Sequence, residues 1–246
     1  MRADWIENGV LDWAWYEGGD PTVTLHVTLS DVTSADQLTW DNTNVVCFVR
    51  GTLIETSRGA VAIESLRAGD LVLTRDNGMQ PLRWIGSRHL AGADLPDRRR
   101  PIRIRAGALG AGLPTADLLV SPQHRVLVRS KIAQRMFGAP EVLVAATLLC
   151  LIDRIHVDQV TEVDYFHVLS DRHEIVLSDG AETESLYTGP EALKSVGPAA
   201  RDEIFAIFPE LRDTVSAPPA VQPLVSGKLA RKLAERHAQN RQALAS

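Results

Sequence analysis

The side chains best suited to covalent chemistry in this sequence are one cysteine and three histidines. A cysteine thiolate is an effective nucleophile, and Cys47 is preceded by a complete peptide segment. A histidine with an ordinary pKa suits proton delivery at neutral pH, and His124, His167 and His173 lie downstream. Ser121 adds a hydroxyl three residues before His124. These residue types predict attack by a thiol on a carbonyl, assisted by proton transfer.

Each of these residues also has a plainer interpretation. Among the apolar residues 45–48, a cysteine can be a small buried hydrophobe. The Ser-Pro-Gln-His sequence at 121–124 is typical of a surface turn. His167 and His173 can be structural histidines whose ring nitrogens are satisfied by neighbours. The choice therefore depends on the elements that surround them.

The elements after Cys47 are short. Apolar runs at 52–54, 61–63 and 71–74 are rich in β-branched residues and are separated by glycine turns. This pattern predicts short strands in an all-β fold, with Cys47 at the start of the first strand.

The same pattern continues to about residue 187. No long helices alternate with the strands, which argues against a parallel sheet. An Asp-Asn-Gly turn at 76–78 predicts a hairpin, the polar residues 96–100 predict a loop, and the apolar run 141–151 is either strand or short helix. Further strands are predicted at 80–85, 102–105, 117–128, 155–160, 163–169 and 174–177.

The two ends of the chain differ from this central part. Residues 21–29 predict one strand and 41–44 a turn, but the N-terminal segment is too short for an independent core. Toward the C-terminus, helical spacing at 201–212 and a basic amphipathic stretch at 227–245 flank a Pro-rich linker. We therefore predict an N-terminal segment 1–46, a β domain 47–189 and a helical extension 190–246.

Three motifs together resemble a known family. The block CFVRGTLIETSRGAVAIESLRAGDLVLT opens at Cys47, Ser121 and His124 follow in VSPQHRVLV, and DRHE and DGAETES come later. These phrases are similar to the Hint domains of inteins and hedgehog proteins, and most of all to bacterial Hint-domain proteins. The resemblance covers roughly residues 40–220 and implies a compact, mostly β Hint-type fold.

The resemblance also implies self-processing. Cys47 would attack the Val46 carbonyl in an N-to-S acyl shift, with Ser121 and His124 assisting and His167 and His173 completing the site. Water, a thiol, an amine or an alcohol would resolve the thioester, so that the chain acts on itself in cis and turns over once. The product would be the fragment 1–46, released or transferred.

Two departures from the intein pattern bear on the reaction. Inteins carry an aspartate after the tyrosine of their late block, and Phe166 follows Tyr165 here; His167, Asp164 or Asp171 are the candidates to replace it. Inteins also need a terminal asparagine, and none follows His173 before the distant Asn240. We therefore expect N-terminal cleavage or transfer without full splicing.

Two other classes of function stay open. A Hint fold without activity could be a structural or protein-binding module, and a cysteine protease acting on other proteins is a third hypothesis. The net charge of −5 gives no reason to expect a nucleic-acid partner, and Arg98–Arg100 predicts only a solvated loop. We expect no metal or cofactor, and free thiols at Cys47 and Cys150.

The sequence also lacks segments that would target it to a membrane. No apolar run approaches the roughly 18 residues that a membrane span needs. The N-terminus has no apolar core of a signal peptide. Cytoplasmic residence and leaderless secretion are both compatible with this sequence.

Overall fold

The computed structural model describes residues 5–7, 10–17, 20–28, 46–188, 198–207 and 219–245. Short strands dominate, and the chain divides into two compact units, 1–43 and 44–246. The predicted mostly β fold, with an N-terminal β segment and a C-terminal helix, is confirmed. The finer division at 46/47 and 189/190 stays a prediction. None of the helices in the described part of the chain has the length and apolar character needed to cross a membrane.

The N-terminal unit contains one antiparallel sheet of three strands, which pair in chain order. The register between its second and third strands shifts between Ala14 and Tyr16. The predicted strand at 21–29 corresponds to β3, and the predicted turn at 41–44 lies outside the described residues. The strands are β1 (Trp5–Glu7), β2 (Val10–Glu17) and β3 (Asp20–Thr28).

A six-stranded antiparallel sheet in the second unit carries Cys47 at its centre. Its order is β14-β10-β11-β4-β15-β9, and Cys47 directly precedes β4, as predicted. Central strands are paired on both sides, which holds the backbone around the cysteine rigidly. The strands are β4 (Phe48–Val49), β9 (Trp84–Ala91), β10 (Ile102–Ile104), β11 (Leu118–Val120), β14 (Ile155–Val157) and β15 (Glu162–Leu169).

A nine-stranded sheet also belongs to this unit. It is antiparallel except for one parallel pair at its edge, where β18 joins β13. Gly59 and Gly78 take positive φ angles of 87° and 64° at its hairpins, a conformation that favours glycine. The strands are β5 (Leu53–Thr56), β6 (Gly59–Ala62), β7 (Leu71–Thr74), β8 (Gly78–Pro81), β12 (Arg125–Arg129), β13 (Glu141–Ala145), β16 (Ile175–Ser178), β17 (Ala181–Glu184) and β18 (Leu224–Val225).

The described part of the chain contains three α-helices beside the sheets. Helix α1 (Lys131–Phe137) starts after Ser130, whose side chain accepts a hydrogen bond from the Ala133 N–H, and ends at Gly138 in the left-handed region. Helices α2 (Pro198–Ile207) and α3 (Gly227–Asn240) belong to the C-terminal extension. Ala230, Leu233 and Ala234 of α3 are fully buried, so this helix packs into the core.

Some predicted boundaries were wrong, and other predictions are refined by the structure. The predicted strand 80–85 straddles the end of β8 and the start of β9, because residues 82 and 83 connect them. Residues 97–99 form a short 3-10 turn, and the run 141–151 is strand first and 3-10 helix afterwards. The predicted helix 227–245 ends at Asn240, because Arg241 adopts a left-handed conformation with φ of 49°.

Candidate functional site

Cys47 is held in place by two hydrogen bonds with Ser121. The Cys47 N–H donates to Ser121 Oγ over 3.0 Å, and the Ser121 N–H donates to the Cys47 carbonyl over 2.9 Å. Ser121 follows β11, which pairs with β4, so the sheet itself brings the two residues together. The Cys47 side chain is 1% exposed and its thiol is free, as is that of Cys150. The site is therefore a buried thiol on a fixed backbone.

His167 contacts both the thiol and the carbonyl that precedes it. Its Nδ1 lies 2.7 Å from the Val46 carbonyl oxygen, and its Nε2 lies 3.6 Å from Cys47 Sγ. A carbonyl oxygen can only accept, so Nδ1 carries the proton of a neutral ring. The unprotonated Nε2 then faces the thiol. One imidazole thus touches both partners of the reaction that the sequence predicts.

The position of His167 follows from strand alternation. On β15, side chains of successive residues point to opposite faces of the sheet. Phe166 pairs with Phe48 and belongs with it to the main hydrophobic core. His167 therefore lies on the other face. The indole of Trp84 stacks on its ring, with centroids 6.3 Å apart.

Phe166 stands where inteins carry an aspartate, and three residues were candidates to replace that aspartate. These three residues lie at different distances from Cys47. Asp164 accepts hydrogen bonds from Arg50 and His89 at the surface. Asp171 forms a two-bond ion pair with Arg83 and is about half exposed. Of the three, His167 is the residue in contact with Cys47.

His124 lies on the C-terminal side of the cysteine. Its Nδ1 is 3.0 Å from the Cys47 carbonyl oxygen, to which it donates, and its ring packs edge-on against Phe48. The His124 carbonyl in turn accepts from the Ala146 N–H, which fixes the loop after Ser121. Its Nε2 is buried, and no hydrogen-bond partner for it occurs among the described residues. That atom can still accept a proton.

His173 makes its hydrogen bonds away from the thiol. Its Nε2 donates to the buried carboxylate of Glu184 over 3.1 Å, and its Nδ1 accepts from the Val221 N–H. Glu184 also accepts from the backbone N–H and the guanidinium of Arg125, the residue after His124. His173 thus contacts the neighbourhood of His124 through Glu184.

Burial changes the ionisation of the reactive groups. Burial raises the pKa of the Cys47 thiol far above its usual range, and a hydrogen bond from Ser121 only partly offsets this effect. Burial also lowers the pKa of His124 and of His167 to about 4 each. The expectation of a histidine pKa near 6.5 is therefore wrong for both. At neutral pH the site contains an uncharged thiol and two uncharged imidazoles.

The lowered pKa values predict a loss of stability in mild acid. Unfolding releases His124 and His167 to an ordinary pKa of 6.5, so the unfolded chain binds more protons between about pH 6.5 and pH 4. The free energy of unfolding should be constant above that window and should fall within it. We expect a decrease of roughly 2 kcal/mol for each histidine at pH 5, measured by urea unfolding.

A pair of variants isolates this effect. His124→Gln should show a smaller loss between pH 7 and pH 5 than the wild type. The exposed His89, changed to Gln, should leave the loss unaltered. An equal pH dependence in all three proteins would contradict the assignment of a buried neutral imidazole at position 124.

Two contributors to the site were missed in the sequence. Trp84 stacks on His167 but precedes it by 83 positions, and no motif connects them. Glu184 lies within the DGAETES sequence. That sequence contributed to the resemblance to bacterial Hint-domain proteins, but nothing in it distinguished this glutamate as part of the site. A fully buried carboxylate is recognisable only from its burial. Among the described residues, no group of three or more His, Cys, Asp or Glu side chains is arranged to hold a metal ion.

The fold and the site define a mostly β protein in which one histidine contacts both a buried thiol and the carbonyl oxygen of the preceding residue. The sequence pattern of the Hint domain family matches residues 46–190, more than half of the chain. The chain belongs to the Hint domain family, and the resemblance found in the sequence is confirmed. A comparison with curated protein sequences finds no match.

Solved structures of inteins are similar to this chain at low sequence identity. The gp41-1 intein is 13% identical with a TM-score of 0.35, and 56% of this chain covers 97% of it. The MchDnaB-1 intein is 12% identical with a TM-score of 0.35, over 56% of this chain and 98% of its own. A bacterial intein-like domain from Clostridium thermocellum is 15% identical with a TM-score of 0.34, over 56% and 96%.

Proposed function

We propose that the protein cleaves its own chain before Cys47, by an N-to-S acyl shift from the Val46 carbonyl to the Cys47 thiol. The observation that carries this proposal is the position of His167. One neutral ring lies within hydrogen-bonding reach of both the carbonyl oxygen and the thiol. A histidine with a purely structural role needs hydrogen-bond partners for its two ring nitrogens. It does not need those partners to be the Val46 carbonyl oxygen and the Cys47 sulfur, which are the two atoms of the proposed reaction.

His167 has two roles in the proposed step. Its Nε2 takes the thiol proton as sulfur approaches the carbonyl carbon, which matters because burial opposes a free thiolate. Its Nδ1–H donates to the Val46 oxygen, where negative charge develops in the tetrahedral intermediate. The same ring acts as base and as oxyanion donor, and both interactions strengthen toward the transition state.

Ser121 is assigned to the leaving nitrogen. Its Oγ lies 3.0 Å from the Cys47 nitrogen and is the group that delivers a proton there when the C–N bond breaks. The C–S bond forms and the C–N bond breaks. The proton that His167 takes from sulfur replaces the hydroxyl proton that Ser121 gives to nitrogen, so that both side chains end the step uncharged and the net transfer is one proton from sulfur to nitrogen. The step therefore balances without a co-reactant. It yields a thioester on Val46 and a free amine on Cys47.

His124 and His173 act as positioning residues in this proposal. His124 holds the carbonyl of Cys47 itself, which fixes the orientation of the attacking residue. His173 orients Glu184, which in turn holds the backbone next to His124. Neither touches the atoms that react in the acyl shift. Their replacement should lower the rate less than replacement of His167.

The thioester is then resolved by an outside nucleophile. Water gives hydrolysis and release of the fragment 1–46, whereas a thiol, an amine or an alcohol receives the fragment by transfer. Only water leaves a free carboxyl on Val46, because a thiol gives a new thioester, an amine an amide and an alcohol an ester. In each case Cys47 is released with a free amine and a free thiol. Full splicing is not part of the proposal, because no asparagine follows His173 in the sequence before Asn240.

The test is a time course of intact mass for the purified chain, with and without dithiothreitol or hydroxylamine. We expect a fragment that ends at Val46 and a partner that begins at Cys47, formed faster with either reagent. The rate should be independent of protein concentration, because the reaction is intramolecular. A chain that stays uncut under all conditions would contradict self-processing.

The second candidate function is a Hint fold that does not cleave and serves as a protein-binding module. The strongly raised pKa of the Cys47 thiol favours it, because a buried neutral thiol is chemically inert. The intact-mass time course distinguishes the self-cleaving protein from the non-cleaving module. An uncut chain whose Cys47 also resists alkylation would support the module.

A further inference from the structure

The side chain of Val46 lies in an apolar pocket separate from the main core. Val46 is 3% exposed and packs with Trp84, Leu169, Leu186 and Ile204, all of which are buried. Trp84 and Leu169 come from the paired strands β9 and β15. Ile204 comes from helix α2 and is fully buried. The residue before the proposed scissile bond thus has a pocket of its own.

One wall of this pocket comes from outside the family-matched region. The Hint domain pattern ends at residue 190, whereas α2 runs from Pro198 to Ile207. The chain returns from its C-terminal extension to cover the acyl side of the site. A helix that only terminated the domain would not need to bury Ile204 fully in the same apolar cluster as Val46.

We infer that α2 completes an acyl pocket that selects the residue before Cys47, with Ile204 as the specificity-determining residue. This inference rests on the proposed self-cleavage, whose acyl group is Val46. The pocket fits an apolar side chain of the volume of valine. Larger side chains overpack it, and polar side chains lose hydration there without a hydrogen-bond partner.

The pocket is connected to the chemistry through Trp84. The indole belongs to the same buried apolar cluster as Val46 and stacks on the ring of His167. A side chain too large at position 46 displaces Trp84, and the His167 ring then moves from the carbonyl and the thiol. Misplacement of reacting groups by about 1 Å can lower a rate by about 100-fold. Selection at position 46 is therefore expressed in the cleavage rate.

The test adds one methylene to the side chain at position 46 and removes one from the side chain at position 204. Val46→Ile adds a methylene, and we expect cleavage in hydroxylamine about tenfold slower than in the wild type, because a packed site tolerates extra volume poorly. Ile204→Val removes one methylene from the opposite wall. The double variant Val46→Ile with Ile204→Val should return to within about threefold of the wild-type rate.

Ile207→Val provides the matched control. Ile207 is on the same helix but is 42% exposed, so its replacement should leave the slow Val46→Ile chain slow. Both changes at 204 and 207 conserve a β-branched side chain, and thermal melts monitored by circular dichroism establish that each variant is folded. If Ile204→Val restores the cleavage rate of the Val46→Ile chain and Ile207→Val does not, residue 204 acts as a wall of the pocket. Equal restoration by both variants would instead indicate a general effect on the stability of α2.

The outcomes separate this inference from the proposed function. If the wild type is cleaved, but Val46→Ile is cleaved equally fast or is rescued equally by Ile207→Val, the inference is overturned and self-cleavage stands. If the wild type is uncut with hydroxylamine, both are overturned.

Discussion

Cys47→Ala is expected to abolish the thiol-accelerated cleavage after Val46 completely. The variant has no atom that can bond to the Val46 carbonyl, and the other groups of the site, His167 and Ser121, only transfer protons. The substitution removes a single buried sulfur, and the backbone hydrogen bonds of Cys47 with Ser121 are unaffected. The fold should therefore be retained, and intact mass should show the full-length chain at all times.

The chain offers a matched control for this experiment. Cys150 is the second free cysteine, half-buried beside the 3-10 helix that ends at Leu149. Cys150→Ala should cleave at the wild-type rate. Cys47→Ser should give at most slow cleavage in hydroxylamine, because a hydroxyl is a weaker nucleophile than a thiol. Cleavage of Cys47→Ala at the same bond would show that another group attacks Val46.

His167→Ala is expected to slow cleavage by about 10²- to 10⁴-fold, the usual contribution of a positioned acid–base group. The variant loses the base at Sγ and the donor at the Val46 oxygen together. His167→Asn should recover part of the loss, because an amide nitrogen in place of Nδ1 can still donate to the carbonyl. Single-turnover cleavage in hydroxylamine measures all three rates.

The pH profile distinguishes this role from a structural one. Since burial lowers the pKa of His167 to about 4, its base form predominates from pH 5 upward. The contribution of His167 to the rate should be independent of pH between 5 and 8 at fixed nucleophile concentration. His89→Ala, at an exposed position of β9, should leave rate and profile unchanged. A rate that halves near pH 6.5, or equal rates for His167→Ala and wild type, would contradict the assignment.

The missing aspartate after Tyr165 has a structural interpretation. The sequence indicated that Phe166 deprives the cysteine of a helper. In the structure residue 166 faces the apolar core beside Phe48, and the next residue on β15 faces the thiol. Successive side chains of a strand point to opposite faces of the sheet. Residue 167 can therefore face the thiol, whereas residue 166, which aligns with the aspartate of inteins, cannot. His167 is proposed to take the role.

The sequence by itself determined the class of fold and indicated the candidate residues Cys47, Ser121 and His124. Short β-branched runs separated by glycine turns specify hairpins locally, and the Cys47, Ser121 and His124 motifs carry enough identity to indicate the Hint family. Those signals are contained in stretches of fewer than thirty residues. Nothing in them depends on knowing which strands pair.

Only the tertiary structure decided which of the candidate residues lie next to the thiol and how deeply they are buried. Whether His167 or His173 contacts the thiol depends on strand pairing between β4 and β15, which joins residues about 120 positions apart. The lowered pKa of the histidines and the raised pKa of the thiol arise from burial, which is a property of the packed layers. The burial of Ile204 in one apolar cluster with Val46 likewise brings together residues that are far apart in the sequence. The periodicity of the sequence specifies which face of its strand a side chain occupies. The neighbours of that side chain in space depend on the whole set of long-range contacts.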